Sequence, residues 1–236
     1  SGALPPTTSS GSCVVAVDFD GDGDLDLFRA GRVNVGRYPM APRCYLLRND
    51  APPGRSRSGM PDHGVPAGAG LPRFTDVTDQ LAPGLRHAGM VCAALWTDYD
   101  NDNDPDLMLA GEFMPITLLK NTGGRLTMEP LQTEKNQPLS GWWNSLTGAD
   151  FDLDGDIDYL AGNLGLNTRY RVSAQEPLQV YAKDFDGNGQ IDPILTQYVQ
   201  GKQHIVPIRD VMNDQMPTFS RKRFTSFQAY ANKSFN

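Results

Sequence analysis

The sequence predicts an all-β fold that is built from repeated units of four short antiparallel strands. The chain of 236 residues contains 24 Gly and 18 Pro but only 39% hydrophobic residues. This composition favours many short elements joined by turns over long helices. In addition, one acidic segment recurs along the chain, and short apolar or alternating runs bounded by Gly, Pro and Asn flank its copies.

The acidic segment occurs at four places. VDFDGDGDLDLF at 17–28 recurs as TDYDNDNDPDLM at 97–108 and ADFDLDGDIDYL at 149–160, and KDFDGNGQIDPI at 183–194 is a weaker copy. The similarity extends further, because Leu-Leu-Arg-Asn at 46–49 corresponds to Leu-Leu-Lys-Asn at 118–121. Without insertions the repeating unit is about fifty residues long.

The strand pattern predicts β-propeller-type blades, because four short antiparallel strands make one blade. The predicted strands are 14–17, 25–28, 44–47 and 74–77 in the first unit, 91–96, 107–109, 116–119 and 126–128 in the second, and 145–149, 159–161, 178–182 and 194–199 in the third. In this interpretation the fourth acidic segment joins two outer strands of the third blade. About three blades are visible, whereas closed propellers have four or more. Either the chain is a fragment of a longer propeller or other chains cover its open edges.

These patterns predict five regions. They are an N-terminal tail at 1–11, blade 1 at 12–85 with an insertion loop at about 51–70, blade 2 at 86–135, blade 3 at 136–210 including the fourth acidic segment, and a C-terminal region at 211–236. The last region is predicted to be a docking segment or the start of a further blade. Its residues Phe224, Phe227 and Tyr230 have a three-residue spacing that suits one face of a short helix.

Charge and motifs exclude several classes of function. The formal net charge is −7, and 18 of the 28 acidic residues lie in the four acidic segments. A nucleic-acid surface would need clustered Lys and Arg instead. No apolar run is long enough to be a transmembrane segment. No nucleophile elbow, phosphate loop, dinucleotide fingerprint or zinc motif is present, and Cys13, Cys44 and Cys92 are predicted to be buried free thiols on strands.

The spacing of the aspartates predicts four nine-residue calcium loops. Calcium takes six to eight oxygen ligands, which side chains at loop positions 1, 3, 5 and 9 and the backbone carbonyl at position 7 could provide. The candidate ligands are Asp18, Asp20, Asp22, Asp24 and Asp26 in loop 1, Asp98, Asp100, Asp102, Asp104 and Asp106 in loop 2, Asp150, Asp152, Asp154, Asp156 and Asp158 in loop 3, and Asp184, Asp186, Asn188, Gln190 and Asp192 in loop 4. The sequence therefore predicts up to four Ca²⁺ ions.

Backbone requirements support this interpretation. Position 6 must turn sharply with a positive φ, and it is Gly23, Asn103, Gly155 or Gly189. An EF-hand is rejected because position 12 is never Glu and the flanking segments are predicted strands. Without an ion, the clustered carboxylates would repel one another strongly.

The acidic loops resemble those of the FG-GAP/VCBS repeat family, whose integrin-α-like β-propellers carry Asp-x-Asp-x-Asp-Gly-x-x-Asp between strands. The resemblance covers about 12–200, although Asn103 departs from the family glycine. FTDVT at 74–78, SGWWNS at 140–145 and GNLGLN at 162–167 resemble the bacterial extracellular branch. The resemblance implies calcium ligands at the positions given above and an exported or cell-surface protein that acts in adhesion or in carbohydrate and protein binding.

Three functions are compatible with these observations. The first is a non-catalytic calcium-binding scaffold, extracellular or at the cell surface, that binds a protein or glycan partner. The second is a subunit of an extracellular filament or assembly, whose open blade edges pair with neighbouring copies of the chain. The third is a propeller domain of a carbohydrate-active enzyme, such as a polysaccharide lyase or hydrolase. The first is favoured, because nearly all the aspartates are better explained as metal ligands than as catalytic acids.

Overall fold

The computed structural model describes residues 3–50, 73–132, 136, 138–165, 168–231, 233 and 235. The predicted insertion loop at about 51–70 lies outside the described residues. The chain divides into two compact units, one of Ser1–Arg32 and Ala41–Asn163 and the other of Val33–Met40 and Leu164–Asn236. Antiparallel sheets dominate, and the prediction of an all-β fold with propeller-type blades is confirmed.

The first sheet is a four-stranded meander. It contains β1 (Ser10–Val17), β2 (Asp26–Val33), β3 (Tyr45–Asn49) and β4 (Phe74–Asp76), in the order β1-β2-β3-β4. A one-turn helix α1 (Thr78–Leu81) and a 3-10 helix (Pro83–His87) follow β4. Each strand overlaps one that the sequence predicts for the first repeat.

The second sheet has six strands and is organised around one long strand. It contains β5 (Met90–Thr97), β6 (Asp106–Pro115), β7 (Thr117–Thr122), β8 (Arg125–Pro130), β9 (Ser140–Ala149) and β10 (Asp158–Asn163). β6 pairs with β5 over most of its length. It also pairs with β7 through Leu107–Leu109 and with β9 through its last residues, where Pro115 lies opposite Ser140. β6 thus continues well beyond the predicted strand at 107–109 and joins the second and third repeats.

The third sheet belongs to the second compact unit. It contains β11 (Gln179–Lys183), β12 (Asp192–Val199) and β13 (Lys202–Ile205), in the order β11-β12-β13. Loop 4 joins β11 to β12, which are the first two strands of this sheet. It does not join strands of the sheet that holds β9 and β10, as the predicted third blade requires. β13 was not predicted, since Lys-Gln-His-Ile has little apolar strand character.

Two apolar cores lie on the two faces of β6. Successive side chains of a strand point to opposite faces. Leu107 and Leu109 therefore pack with Phe28 and Leu46 of the first sheet. Met108, between them, packs on the other face in a cluster that includes Leu118 of β7 and, partly buried, Trp143 of β9 and Tyr159 of β10. Trp96 is partly buried against the first of these clusters.

The C-terminal region is helical. It contains α2 (Arg209–Gln215), α3 (Pro217–Arg223) and α4 (Phe227–Ala231). Phe224, which ends α3, is buried and contacts the ring of Tyr230 edge-on at a centroid distance of 4.9 Å. Phe227 is instead exposed beside the guanidinium of Arg209. Phe224 and Tyr230 pack together from different elements, because Phe224 caps α3 and Tyr230 lies in α4. The predicted single helix face for Phe224, Phe227 and Tyr230 is therefore wrong.

The three cysteines are free, as predicted. Cys44 is buried just before β3, where its Sγ accepts a hydrogen bond from the Gly31 N–H at 3.2 Å. Burial raises the pKa of this thiol to about 11. Cys13 on β1 and Cys92 on β5 are only half-buried, so the prediction of buried thiols on strands holds in part. Within the described residues, none of the helices has the length and apolar character needed to cross a membrane.

Candidate metal sites

All four acidic loops occupy the same place in their sheets. Each joins the first strand of a repeat to the second, from β1 to β2, from β5 to β6, from β9 to β10, and from β11 to β12. The aspartate at position 9 is the first residue of the second strand in every case, as Asp26, Asp106, Asp158 and Asp192. The strands therefore fix both ends of each loop.

The four loops also share their backbone hydrogen bonds. The carboxylate at position 9 accepts from the N–H of position 2 at 3.2, 3.0, 3.0 and 2.9 Å in loops 1 to 4. The carboxylate at position 1 accepts from the N–H of position 6 at 2.9, 3.0, 3.1 and 2.8 Å. The side chain at position 5 accepts from the N–H of position 7 at 2.9, 2.9, 3.0 and 2.8 Å. Four sequences thus fold into one loop conformation.

The predicted positive φ at position 6 is confirmed. The angles are 96° at Gly23, 69° at Asn103, 101° at Gly155 and 85° at Gly189. A second left-handed residue at position 4 was missed, with 75° at Gly21, 58° at Asn101, 65° at Leu153 and 77° at Gly187. The sequence does indicate this conformation at three of the four positions, where the residue is Gly or Asn, because these residues tolerate positive φ best. Leu153 obscures the pattern.

Carboxylate oxygens converge inside each loop. Three acidic side chains per loop place one oxygen each within 4.8 Å of the others, and these are Asp18, Asp20 and Asp22, then Asp98, Asp100 and Asp106, then Asp150, Asp152 and Asp158, and finally Asp184, Asp186 and Asp192. Such groups could hold a hard divalent cation. The side chains at position 7 lie outside these groups, and that of Asp104 accepts instead from the Gly123 N–H at 2.9 Å. The individual ligand roles remain predictions.

Burial makes several of these carboxylates unfavourable as bare anions. The pKa of Asp26 is raised to about 6, chiefly by desolvation and to a smaller extent by repulsion from Asp20 and Asp22, although two backbone N–H groups act in the opposite direction. Burial likewise raises the pKa of Asp106 and of Asp20. Asp18 Oδ1 is buried without a hydrogen-bond partner among the described residues. A bound cation would offset all of these costs.

Loop 4 differs in its electrostatics. The N–H groups of Gly189, Gly187 and Asn188 donate to Asp184 at 2.8, 2.7 and 3.1 Å. These backbone hydrogen bonds, that from Gly189 most of all, lower the pKa of the Asp184 carboxyl, although desolvation acts in the opposite direction. The position-1 carboxylate of loop 4 therefore stays ionised to a lower pH than an ordinary aspartate.

The third strand of a blade completes loops 1 and 2. The backbone N–H of Asn49 on β3 donates to Asp26 Oδ1 at 2.8 Å, and that of Asn121 on β7 donates to Asp106 Oδ1 at 2.7 Å. Lys120, which precedes Asn121, pairs with Asp100 of loop 2 and lowers the pKa of that carboxyl. The repeated Leu-Leu-basic-Asn segment was the sequence signal for these residues. Its role beside the loops was not predicted.

Comparison with known proteins agrees with this geometry at the level of the repeat. No curated protein gives a significant match to the chain. Residues 98–161, which run from the first residue of loop 2 into β10, match the family model described as FG-GAP-like repeat.

Proposed function

We propose that the chain is a calcium-binding extracellular repeat module that acts as a non-catalytic scaffold for protein or glycan partners. The observation that carries this proposal is the shared hydrogen-bond pattern of four loops, each with three carboxylate oxygens within 4.8 Å of one another. Calcium fits best because it accepts six to eight oxygens in a flexible cage, whereas magnesium resists an all-protein cage of this kind.

The calcium ions would stabilise strand ends. Each loop joins the first two strands of a repeat, and in loops 1 and 2 the position-9 carboxylate also holds the third strand through Asn49 or Asn121. An ion that binds only the folded state raises its stability by about 2.7 kcal/mol at a free concentration of 100 times Kd. Extracellular calcium modules bind in roughly the 10⁻⁴ to 10⁻³ M range.

The FG-GAP-like match supports a binding or adhesion role for the module. The loop aspartates support a non-catalytic function. Their carboxylate oxygens accept hydrogen bonds from backbone N–H groups and converge on one another inside each loop, as metal ligands would. A glycan array followed by a turnover assay on bound polysaccharides distinguishes a binding module from a lyase or hydrolase. Turnover of a bound glycan would contradict the non-catalytic part of the proposal.

The calcium part of the proposal is tested by counting ions. Native mass spectrometry and calorimetric titration of the wild-type protein are expected to give four Ca²⁺, and chelator should lower Tm. Asp18→Asn, Asp98→Asn, Asp150→Asn and Asp184→Asn each remove the position-1 carboxylate and should lose one ion. Asp210→Asn, an exposed acidic residue outside the loops, is the matched control and should retain four. If the wild type binds no calcium and chelator leaves Tm unchanged, the proposal fails.

A further inference from the structure

One of the four repeats exposes residues that the other three bury. Two positions after the last loop aspartate, Phe28 is 0%, Met108 1% and Ile194 4% exposed, whereas Leu160 is 64% exposed. Likewise, Asp26, Asp106 and Asp192 are buried, whereas Asp158 is exposed. The residue types are equivalent at each position, so the local sequence does not account for the exposure of β10.

The difference lies in the neighbouring strand. β2 pairs with β3, β6 with β7, and β12 with β13, so each of these second strands has a third strand beside it. Across the described ranges, β10 pairs with β9 alone and is the end strand of its sheet. Phe151 and Ile157 of the adjoining loop 3 are exposed as well, although Tyr99 and Leu25 at equivalent positions of loops 2 and 1 are also exposed. An exposed strand edge beside apolar side chains is a template for pairing with another chain.

Loops 1 and 2, which each have a third strand beside them, show which groups a strand next to β10 would have to supply. β3 and β7 each carry two leucines, a basic residue and an asparagine. The asparagine N–H donates to the position-9 carboxylate, and in β7 the basic residue, Lys120, pairs with position 3 of loop 2. The corresponding groups in loop 3 are Asp158 and Asp152. Among the described residues, no N–H equivalent to that of Asn49 or Asn121 reaches Asp158 Oδ1.

We propose that the edge of β10 binds an extended β-strand of a partner polypeptide, antiparallel to β10, with two apolar residues followed by Lys or Arg. The residue after the cation donates its backbone N–H to Asp158 Oδ1, and the cation pairs with Asp152. Phe28 lies opposite Leu46, and Met108 lies opposite Leu118. By the same register, Leu160 lies opposite the first of the two apolar residues that precede the Lys or Arg of the partner strand. This inference rests on the proposed binding function and names the chemistry of the partner.

The register makes the inference testable by cross-linking. The probe is a synthetic peptide of residues 115–123 with a cysteine at position 118, and the protein carries Leu160→Cys with Cys13→Ser and Cys92→Ser. Directly opposed residues on neighbouring strands have Cβ atoms about 4.5–5.5 Å apart, which suits a disulfide. The position-118 peptide should cross-link at least tenfold faster than a peptide with cysteine at 119, whose side chain faces the other side.

Measurements of peptide affinity test the same inference independently of cross-linking. With the cysteine-free peptide and the calcium-loaded wild-type protein, Lys120→Glu in the peptide should weaken binding several-fold. Leu160→Arg in the protein should weaken it at least tenfold, and Val35→Arg, which replaces another exposed aliphatic side chain, should not. Hydrogen exchange in β10 should slow when the peptide binds, whereas exchange in β6 should not change.

Three results would overturn the inference. They are a lack of peptide binding by the calcium-loaded protein, cross-linking that is equal at positions 118 and 119, and spontaneous Leu160→Cys dimers without peptide, which would show that a second copy occupies the edge. Calcium stoichiometry measured on the same samples keeps the two proposals separate. Four bound ions without peptide binding refute only the strand site, whereas loss of all calcium binding refutes the proposed function itself.

Discussion

The side-chain amide of Asn121 on β7 donates a buried hydrogen bond to the backbone carbonyl of Phe19 in loop 1, at 2.8 Å. The backbone N–H of the same residue donates to Asp106 in loop 2, and its Oδ1 accepts from the Gly124 N–H at 2.9 Å. One residue thus joins two acidic loops of successive repeats, through its side chain to loop 1 and through its backbone to loop 2.

Asn121→Ala is expected to destabilise the protein by about 2–3 kcal/mol, because it leaves the buried Phe19 carbonyl and Gly124 N–H without their partner. Asn49→Ala is the matched control. Asn49 occupies the same position on β3, but the bond that its side-chain amide donates to Leu25 O is exposed and longer, at 3.3 Å. Urea unfolding of both variants measures the difference. Equal losses would contradict a special role for Asn121.

Leu153→Gly is expected to stabilise the protein by about 0.5–1 kcal/mol. Leu153 has φ of 65° and an exposed side chain, so glycine relieves backbone strain without loss of packing. The left-handed conformation costs a side-chain-bearing residue about 1–2 kcal/mol, and the greater freedom of glycine in the unfolded chain offsets part of the gain. Leu25→Gly, at an exposed loop residue without positive φ, should instead lower Tm. A lower Tm for Leu153→Gly would refute this reasoning.

Gly23→Ala is expected to weaken calcium binding at loop 1 and to destabilise the calcium-loaded protein by about 1–2 kcal/mol. No atom lies within 4 Å of a Cβ built on Gly23, so the whole cost arises from its φ of 96°. Gly23→Asn should be milder, since Asn103 holds the same place in loop 2 at 69°. Calorimetric titration of both variants provides the measurement. The prediction fails if alanine and asparagine are equally damaging.

Calcium binding at loop 1 is expected to weaken as pH falls below about 6. The carboxyl of Asp26, whose pKa burial raises to about 6, takes up a proton in that range, and protonation competes with the cation. At pH 5 the affinity of loop 1 should be about tenfold lower than at pH 7. Loop 4 should change less, because backbone donors lower the pKa of Asp184.

Titration at pH 7 and pH 5 provides the measurement for this pH dependence. The Asp18→Asn variant, in which loop 1 is disabled, serves as the control and should lack the pH-sensitive component. If wild type and variant respond to pH alike, loop 1 is not the sensitive site.

Local rules were sufficient to predict the loops. Alternating aspartates, with Gly or Asn at position 6, specify the turn and the direction of the side chains within nine residues. Pairing between distant segments was harder to foresee. The extension of β6 to Pro115 depends on β9, which lies about 25 residues further along the chain, and β13 is a strand because β12 pairs with it. Likewise, Leu160 is as apolar as Met108, but it is exposed because no third strand lies beside β10 among the described residues. The local sequence of β10 gives no sign of this difference.

The position of β6 between two apolar clusters has a consequence for cooperativity. Leu107 and Leu109 belong to one cluster and Met108 to the other, so unravelling of this strand exposes both at once. The second and third repeats cannot melt separately at that point, although elongated repeat proteins generally unfold in steps from their ends. Partial unfolding of the first compact unit should therefore begin at end strands of its two sheets, such as β4 or β10, and reach β6 last.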